Sequence, residues 1–151
     1  MFKAVVITNN KAKYEYSFLQ EFEAGLMLLG TEVKSLRAGN ANLTDAYCFV
    51  KGNELYVKSL YIAEYEYGNQ NNHETRRDRK ILLKKTELKK IIKKVEQKGV
   101  SIIPYKLYST ERGFFKLAIA LATGKKNYDK RNSIKDRENK RELDRLNKIQ
   151  I

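Results

Sequence analysis

Apolar and polar residues alternate from Phe18 to Leu28. Phe18, Phe22, Ala24, Leu26 and Leu28 fall on one side, and Leu19, Glu21 and Glu23 fall on the other. A period of two marks a half-buried strand, so this stretch is expected to face a core with one set and to show acids to solvent with the other. The next segment, "TEVKSLRAG", predicts a short helix over 31–39, with Thr31 as N-cap, Glu32 in the first turn and Gly39 as the stop. Short strands near 46–51 and 54–62 are expected on either side of the turn residues Gly52 and Asn53.

The period then changes to that of a helix. Leu88, Ile91, Ile92 and Val95 recur at i, i+3, i+4 and i+7, Thr86 is placed to cap the start, and Gly99 is placed to end it. Lys89, Lys90, Lys93 and Lys94 take the opposite side. The apolar stripe is narrow, aliphatic and without Trp or Phe, which suits closing a protein core better than lying on a membrane. Downstream, "SIIPYKLYSTERGFFKLAIALATG" predicts a hairpin turning near Glu111 to Gly113. Its second strand carries Phe115, Leu117, Ile119 and Leu121 on one face, which puts Lys116 on the other.

Strand, short helix, strands, helix and two strands, in that order, predict a mainly β protein with some α. The expected architecture is a small antiparallel, oligonucleotide-binding-like barrel, closed or partly open, with flanking helices. Residues 66–78, "EYGNQNNHETRRD", offer little to bury and are expected to form a long loop. The 151 residues suffice for one core plus an appendage. The division expected is a body over 1–123 and a tail over 124–151. The N-terminal apolar run, Ala4 to Ile7, is too short for a signal sequence or a membrane span, which leads us to expect a cytoplasmic protein.

Charge narrows the choice of partner. The formal net charge of +13 favours polyanions, and it is concentrated. Residues 76–98 hold eleven Lys or Arg and three acids, a net of +8, while 125–151 hold ten and five, a net of +5. The basic block containing Arg76, Arg77, Arg79 and Lys80 is therefore a candidate for phosphate contact, with a merely solvated face as the alternative. Ten Tyr and six Phe accompany it, and single-stranded bases stack on such rings, although aromatics also fill barrels.

Catalytic chemistry finds little support. Gly25 and Gly30 have the spacing of a phosphate loop, but Thr31 and Glu32 stand where Lys and Ser or Thr are needed. Glu21 and Glu23 form a pair of carboxylates that strand alternation alone explains. His73, in a polar loop without an evident partner, reads as solvent-exposed. One Cys and one His provide too few ligands for a zinc site, and Cys48 reads as a small buried strand residue. No enzyme, metal or cofactor is expected.

Beyond Gly124 the chain has too few bulky apolar residues for a core, so the tail is expected to be disordered when free. It has no Pro and, after Gly124, no Gly. Asp136 with Lys140 and Asp144 with Lys148 are i, i+4 pairs, each worth roughly 0.2 to 0.5 kcal/mol in a helix. A partner surface is expected to complete the folding.

Three stretches, "FEAGLMLLGTEVKSLRAGNANLTDAY", "RRDRKILLKKTEL" and "GKKNYDKRNSIKDRE", closely resemble the SmpB family of SsrA-binding proteins of bacterial trans-translation, in order and over nearly the whole chain. The resemblance implies a non-enzymatic protein with a barrel and a flexible tail. It implies binding to the tRNA-like domain of transfer-messenger RNA and delivery of that RNA to stalled ribosomes. It further implies RNA contacts at Glu23, Leu82 and Lys116. For the tail it implies ribosome contacts in the decoding region and empty mRNA channel, at Gly124, Lys125, Lys126, Tyr128, Asp129, Lys130, Arg131, Ile134, Lys135 and Arg137. A monomer is expected when free. The competing expectation is a general single-stranded RNA binder or RNA chaperone on the same fold.

Overall fold

Twelve elements follow one another in the computed structural model, which describes residues 4–68, 72–125 and 141. They are β1 (Val6–Thr8), α1 (Asn10–Glu15), β2 (Tyr16–Leu26), α2 (Gly30–Arg37), β3 (Ala41–Asn42) and β4 (Tyr47–Lys51). Then come β5 (Glu54–Lys58), β6 (Tyr61–Ile62), β7 (Arg79–Leu82), α3 (Lys85–Val95), β8 (Val100–Ser109) and β9 (Phe115–Gly124). The tail positions from Lys126 to Arg137 named above lie outside the described residues.

Seven strands form one antiparallel sheet in the order β1-β8-β9-β2-β7-β5-β4, and β3 pairs with β6 in a separate ribbon. The sheet rolls until β4 approaches β8, although these strands are not hydrogen-bonded neighbours. The result is the partly open barrel that the element order predicts. Its interior is aliphatic, with Leu55, Val57, Leu60, Ile62, Leu107, Leu117 and Ile119 all fully buried. Full burial of each such side chain stabilises the fold by roughly 1.5 to 3 kcal/mol. Helix α3 rests on β8 and β9 and inserts Ile91, fully buried, with Leu88 and Val95 packed against the same core. Lys89, Lys90, Lys93 and Lys94 on its other side are exposed, so the amphipathic helix closes the barrel as its stripe predicts.

Gly52 and Asn53 connect β4 to β5 with φ of +59° and +62°. Two successive left-handed residues give the hairpin turn whose twist matches that of its strands. Ser59, at φ +62°, breaks the strand expected over 54–62 into β5 and β6. Register also departs from simple alternation. A bulge between Phe18 and Gln20 sends Phe18 away from the core, into a second apolar cluster with Ala12, Ile103, Ala122, Tyr16 and Tyr105. The extra residue of a bulge reverses the facing of everything before it, so Phe18 does not share the face of Phe22. β1, α1, β3 and β7 were not expected. Each is short, and each is held by elements distant in the chain: β1 and α1 by β8, β3 by β6, and β7 by β2 and β5.

Both expected caps are displaced. Helix α2 starts after Leu29, and the Glu32 carboxylate accepts the Leu29 N–H at 2.8 Å. Thr31 instead hydrogen-bonds His73 Nδ1 through its hydroxyl, at 2.8 Å. Helix α3 starts after Lys84, not at Thr86. His73 is buried, contrary to the solvent-exposed reading, because Thr31 and the carbonyl of Ile62, 2.9 Å from Nε2, satisfy both ring nitrogens. Cys48 is buried in β4 as expected, and burial pushes its thiol pKa up.

Candidate nucleic-acid interface

The register of the sheet brings Tyr108, Lys116, Gly25 and Leu82 into one transverse row. Tyr108 pairs with Lys116, Lys116 with Gly25, and Gly25 with Leu82. Two residues along each strand, on the same face, the next row is Lys106, Ala118 and Glu23. Glu23, Leu82 and Lys116, which the family resemblance marks as RNA contacts, therefore share the outer face of β9, β2 and β7. All three are exposed. Leu82 precedes α3 and is nevertheless 45% exposed, so it does not serve the core.

β9 contributes small alanines to this face at Ala118 and Ala120, while the strands beside it contribute longer side chains. Tyr105 stacks obliquely on Phe18 with ring centroids 5.1 Å apart, and Lys106 Nζ lies 5.0 Å from the Tyr108 ring centre. Burial pushes Tyr108 up to about 12, and the neighbouring Glu23 carboxylate reinforces the shift. Tyr105 is raised by burial and then by Glu21 and Glu23. Both phenols are thus neutral O–H donors at physiological pH, beside an acid that can accept from a ribose hydroxyl or a base amine.

The basic block divides. Arg79 is fully buried and engaged inside the protein: its Nε meets the Glu32 carboxylate, and its Nη1 donates to the carbonyls of Leu60 at 2.7 Å and Arg77 at 3.1 Å. A guanidinium so enclosed cannot reach a phosphate, and the contact expected of Arg79 is replaced by a structural one. Arg77 is intermediate; it donates to Glu32 at 2.7 Å and remains partly open. Arg76 is exposed, with its guanidinium 5.6 Å from the centre of the Tyr61 ring. Lys80 pairs with Glu54 at 2.8 Å, and the Lys80 hydrogen bond holds the Glu54 carboxyl below the usual range. The phosphate-facing candidates are thus Arg76, Arg77 and Lys80, with the lysines of α3.

Lys106, Tyr108 and Gly25 belong to the face by register, and the first two carry no distinguishing local motif. Alternation along β8 is the only local signal for those two, and the bulge between Pro104 and Lys106 obscures it. At the other end, Gly124 completes β9 opposite Tyr16, and the Lys125 N–H donates to the Glu15 carbonyl at 2.9 Å. The chain leaves the barrel beside α1. Among the described residues no cluster of His, Cys, Asp or Glu could hold a metal, and no helix is long and apolar enough to cross a membrane.

Comparison with known proteins gives the family. The family model described as "SmpB protein" matches residues 6–149. The SsrA-binding protein of Flavobacterium johnsoniae is 49% identical over 148 residues, which cover 98% of each chain. That of Parabacteroides distasonis is 50% identical over 141 residues, 93% of this chain and 92% of its own. A solved chain described as "tmRNA-SmpB: a journey to the center of the bacterial ribosome" is 44% identical and superposes with a TM-score of 0.68, over 85% of this chain and 94% of that one. With a family match across almost its entire length and relatives near half identity, this chain belongs to the SmpB family.

Proposed function

We infer that this chain binds the tRNA-like domain of transfer-messenger RNA and delivers it to stalled ribosomes. The observation that carries the reading is the meeting of Glu23, Leu82 and Lys116 on one exposed sheet face in a chain of this family. Lys116 supplies charge to a phosphate, Leu82 an apolar contact, and Glu23 an acceptor that rewards a ribose hydroxyl or amino group and repels an ill-placed phosphate. The tRNA-like end is thereby chosen by shape and hydroxyls as well as by charge.

In this reading the protein acts as a binding partner without catalysis, in the cytoplasm where ribosomes are. Residues 1–123 hold RNA and 124–151 address the ribosome. The tail's net charge of +5 suits an empty channel lined by ribosomal phosphates. Occupied mRNA would exclude it, which distinguishes stalled from translating ribosomes.

The test compares binding of transfer-messenger RNA and of an unstructured RNA of equal length at several salt concentrations. A clear preference for transfer-messenger RNA is expected. Equal affinities with equal salt slopes would instead establish a general single-strand binder.

A further inference from the structure

We propose that the hollow between the β8–β9 turn and Gly25 receives one unstacked nucleobase, with the ring of Phe114 as its stacking wall and Lys116 and Arg112 placed for the adjoining phosphates. This rests on the RNA-binding reading above and adds to it where on the surface a base is held.

Phe114 is 68% exposed, whereas its neighbour Phe115 is buried at 6%. Its ring is therefore not needed by the core, and it is not on a loose loop. The Thr110 N–H donates to the Phe114 carbonyl at 2.7 Å, the Phe114 N–H donates to Thr110 Oγ1 at 3.2 Å, and the Gly113 N–H donates to the Thr110 carbonyl at 3.0 Å. A rigid turn presents an aromatic face to water, which is the preorganised form a stacking platform requires.

The lining of the hollow is apolar at Gly25, Leu82 and Phe114 and cationic at Arg112 and Lys116, with Glu111 as its one acid. A Cβ at Gly25 would lie 3.4 Å from Leu82 Cβ, in ordinary contact, and the glycine leaves that volume open. The hollow continues the row of Tyr108, Lys116, Gly25 and Leu82, so a strand of RNA on that face passes its opening. An apolar hollow beside two cations matches a base with its backbone phosphates, and Glu111 can accept from a base amino group.

The experiment measures affinity for the isolated tRNA-like domain of transfer-messenger RNA, and for an unstructured RNA, at several salt concentrations with the full-length protein. Phe114→Ala is expected to weaken binding of the tRNA-like domain roughly 5- to 100-fold with the salt slope unchanged, since a stacking contact and no phosphate contact is removed. Phe114→Tyr is expected to retain affinity, and Phe114→Leu to lose as much as Phe114→Ala. Gly25→Ala is expected to weaken binding without lowering the melting temperature. Wild-type affinity in Phe114→Ala, or full affinity in Phe114→Leu, would overturn the stacking pocket; the latter would indicate a general apolar contact. Failure of the wild-type protein to prefer the tRNA-like domain would count against the broader assignment alone, because loss in Phe114→Ala on unstructured RNA would still report the pocket.

Discussion

The Glu32 carboxylate and the Arg79 guanidinium meet in the interior, both with no solvent exposure, and they join α2 to β7. Glu32 also accepts from the Leu29 N–H and from Arg77, so one carboxylate satisfies a helix start and two cations. Through Arg77 it ties the chain entering β7 to the body. The three contacts hold in place the segment that carries Arg76.

Removing one partner of such a pair leaves the other charge buried. Glu32→Gln is expected to destabilise the fold by about 3 to 5 kcal/mol, read as a lower denaturant midpoint. Replacing both Glu32 and Arg79 by Met should recover part of that loss, because no unpaired charge then remains.

Acid sensitivity should follow from the same carboxylate. Burial alone would raise the Glu32 pKa, but hydrogen bonds from Arg77 and Leu29 and the charge of Arg79 outweigh it and hold it below the ordinary 4.5. A group depressed in the folded state binds more protons when unfolded. Its contribution is thus complete above the unfolded pKa of about 4.5 and is lost as pH falls through the folded value. Stability measured from pH 7 to pH 3 should show a fall below about 4.5 that is smaller in Glu32→Gln.

Arg76 and Arg79, three residues apart, should respond in opposite ways. Arg79→Ala removes a buried cation with its hydrogen bonds and is expected to lower the melting temperature sharply. Arg76→Ala, at an exposed site, should leave melting unchanged and weaken RNA binding, with the salt slope smaller by about one. Thermal melts and a salt titration on both variants check this.

Glu23 and Lys116 should separate selectivity from attraction. Lys116→Ala is expected to weaken all RNA binding and flatten the salt slope by about one. Glu23→Ala should weaken binding of the tRNA-like domain while leaving unstructured RNA bound as well or better, since a repulsive carboxylate is gone. Loss of equal size on both RNAs would refute the role given to Glu23.

Truncation after Thr123 tests the division of labour. RNA affinity is expected to survive, and tagging of stalled chains in a translation extract is expected to stop. The cut deletes the Gly124 pairing with Tyr16 and the Lys125 bond to Glu15, so a second truncation after Lys125 controls for fraying of β9.

Local chemistry was legible in the sequence. The hairpin of β8 and β9, the stripe of α3 on Ile91, the turn at Gly52 and Asn53, and the outward facing of Glu23 and Lys116 all follow from spacing, because side chains two or three to four residues apart share a face by geometry alone. The family motifs added what spacing could not, and membership in the SmpB family followed from residues alone. The tertiary structure decided the remainder, all of it non-local. Arg79 lies inside because Glu32, 47 residues earlier, is there to receive it, and His73 is buried because Thr31 and Ile62 close on it. Phe18 turns outward because β9 pairs across a bulge. Burial of a charge and the register of a sheet depend on partners distant in the chain, and no window of sequence contains both members of such a contact.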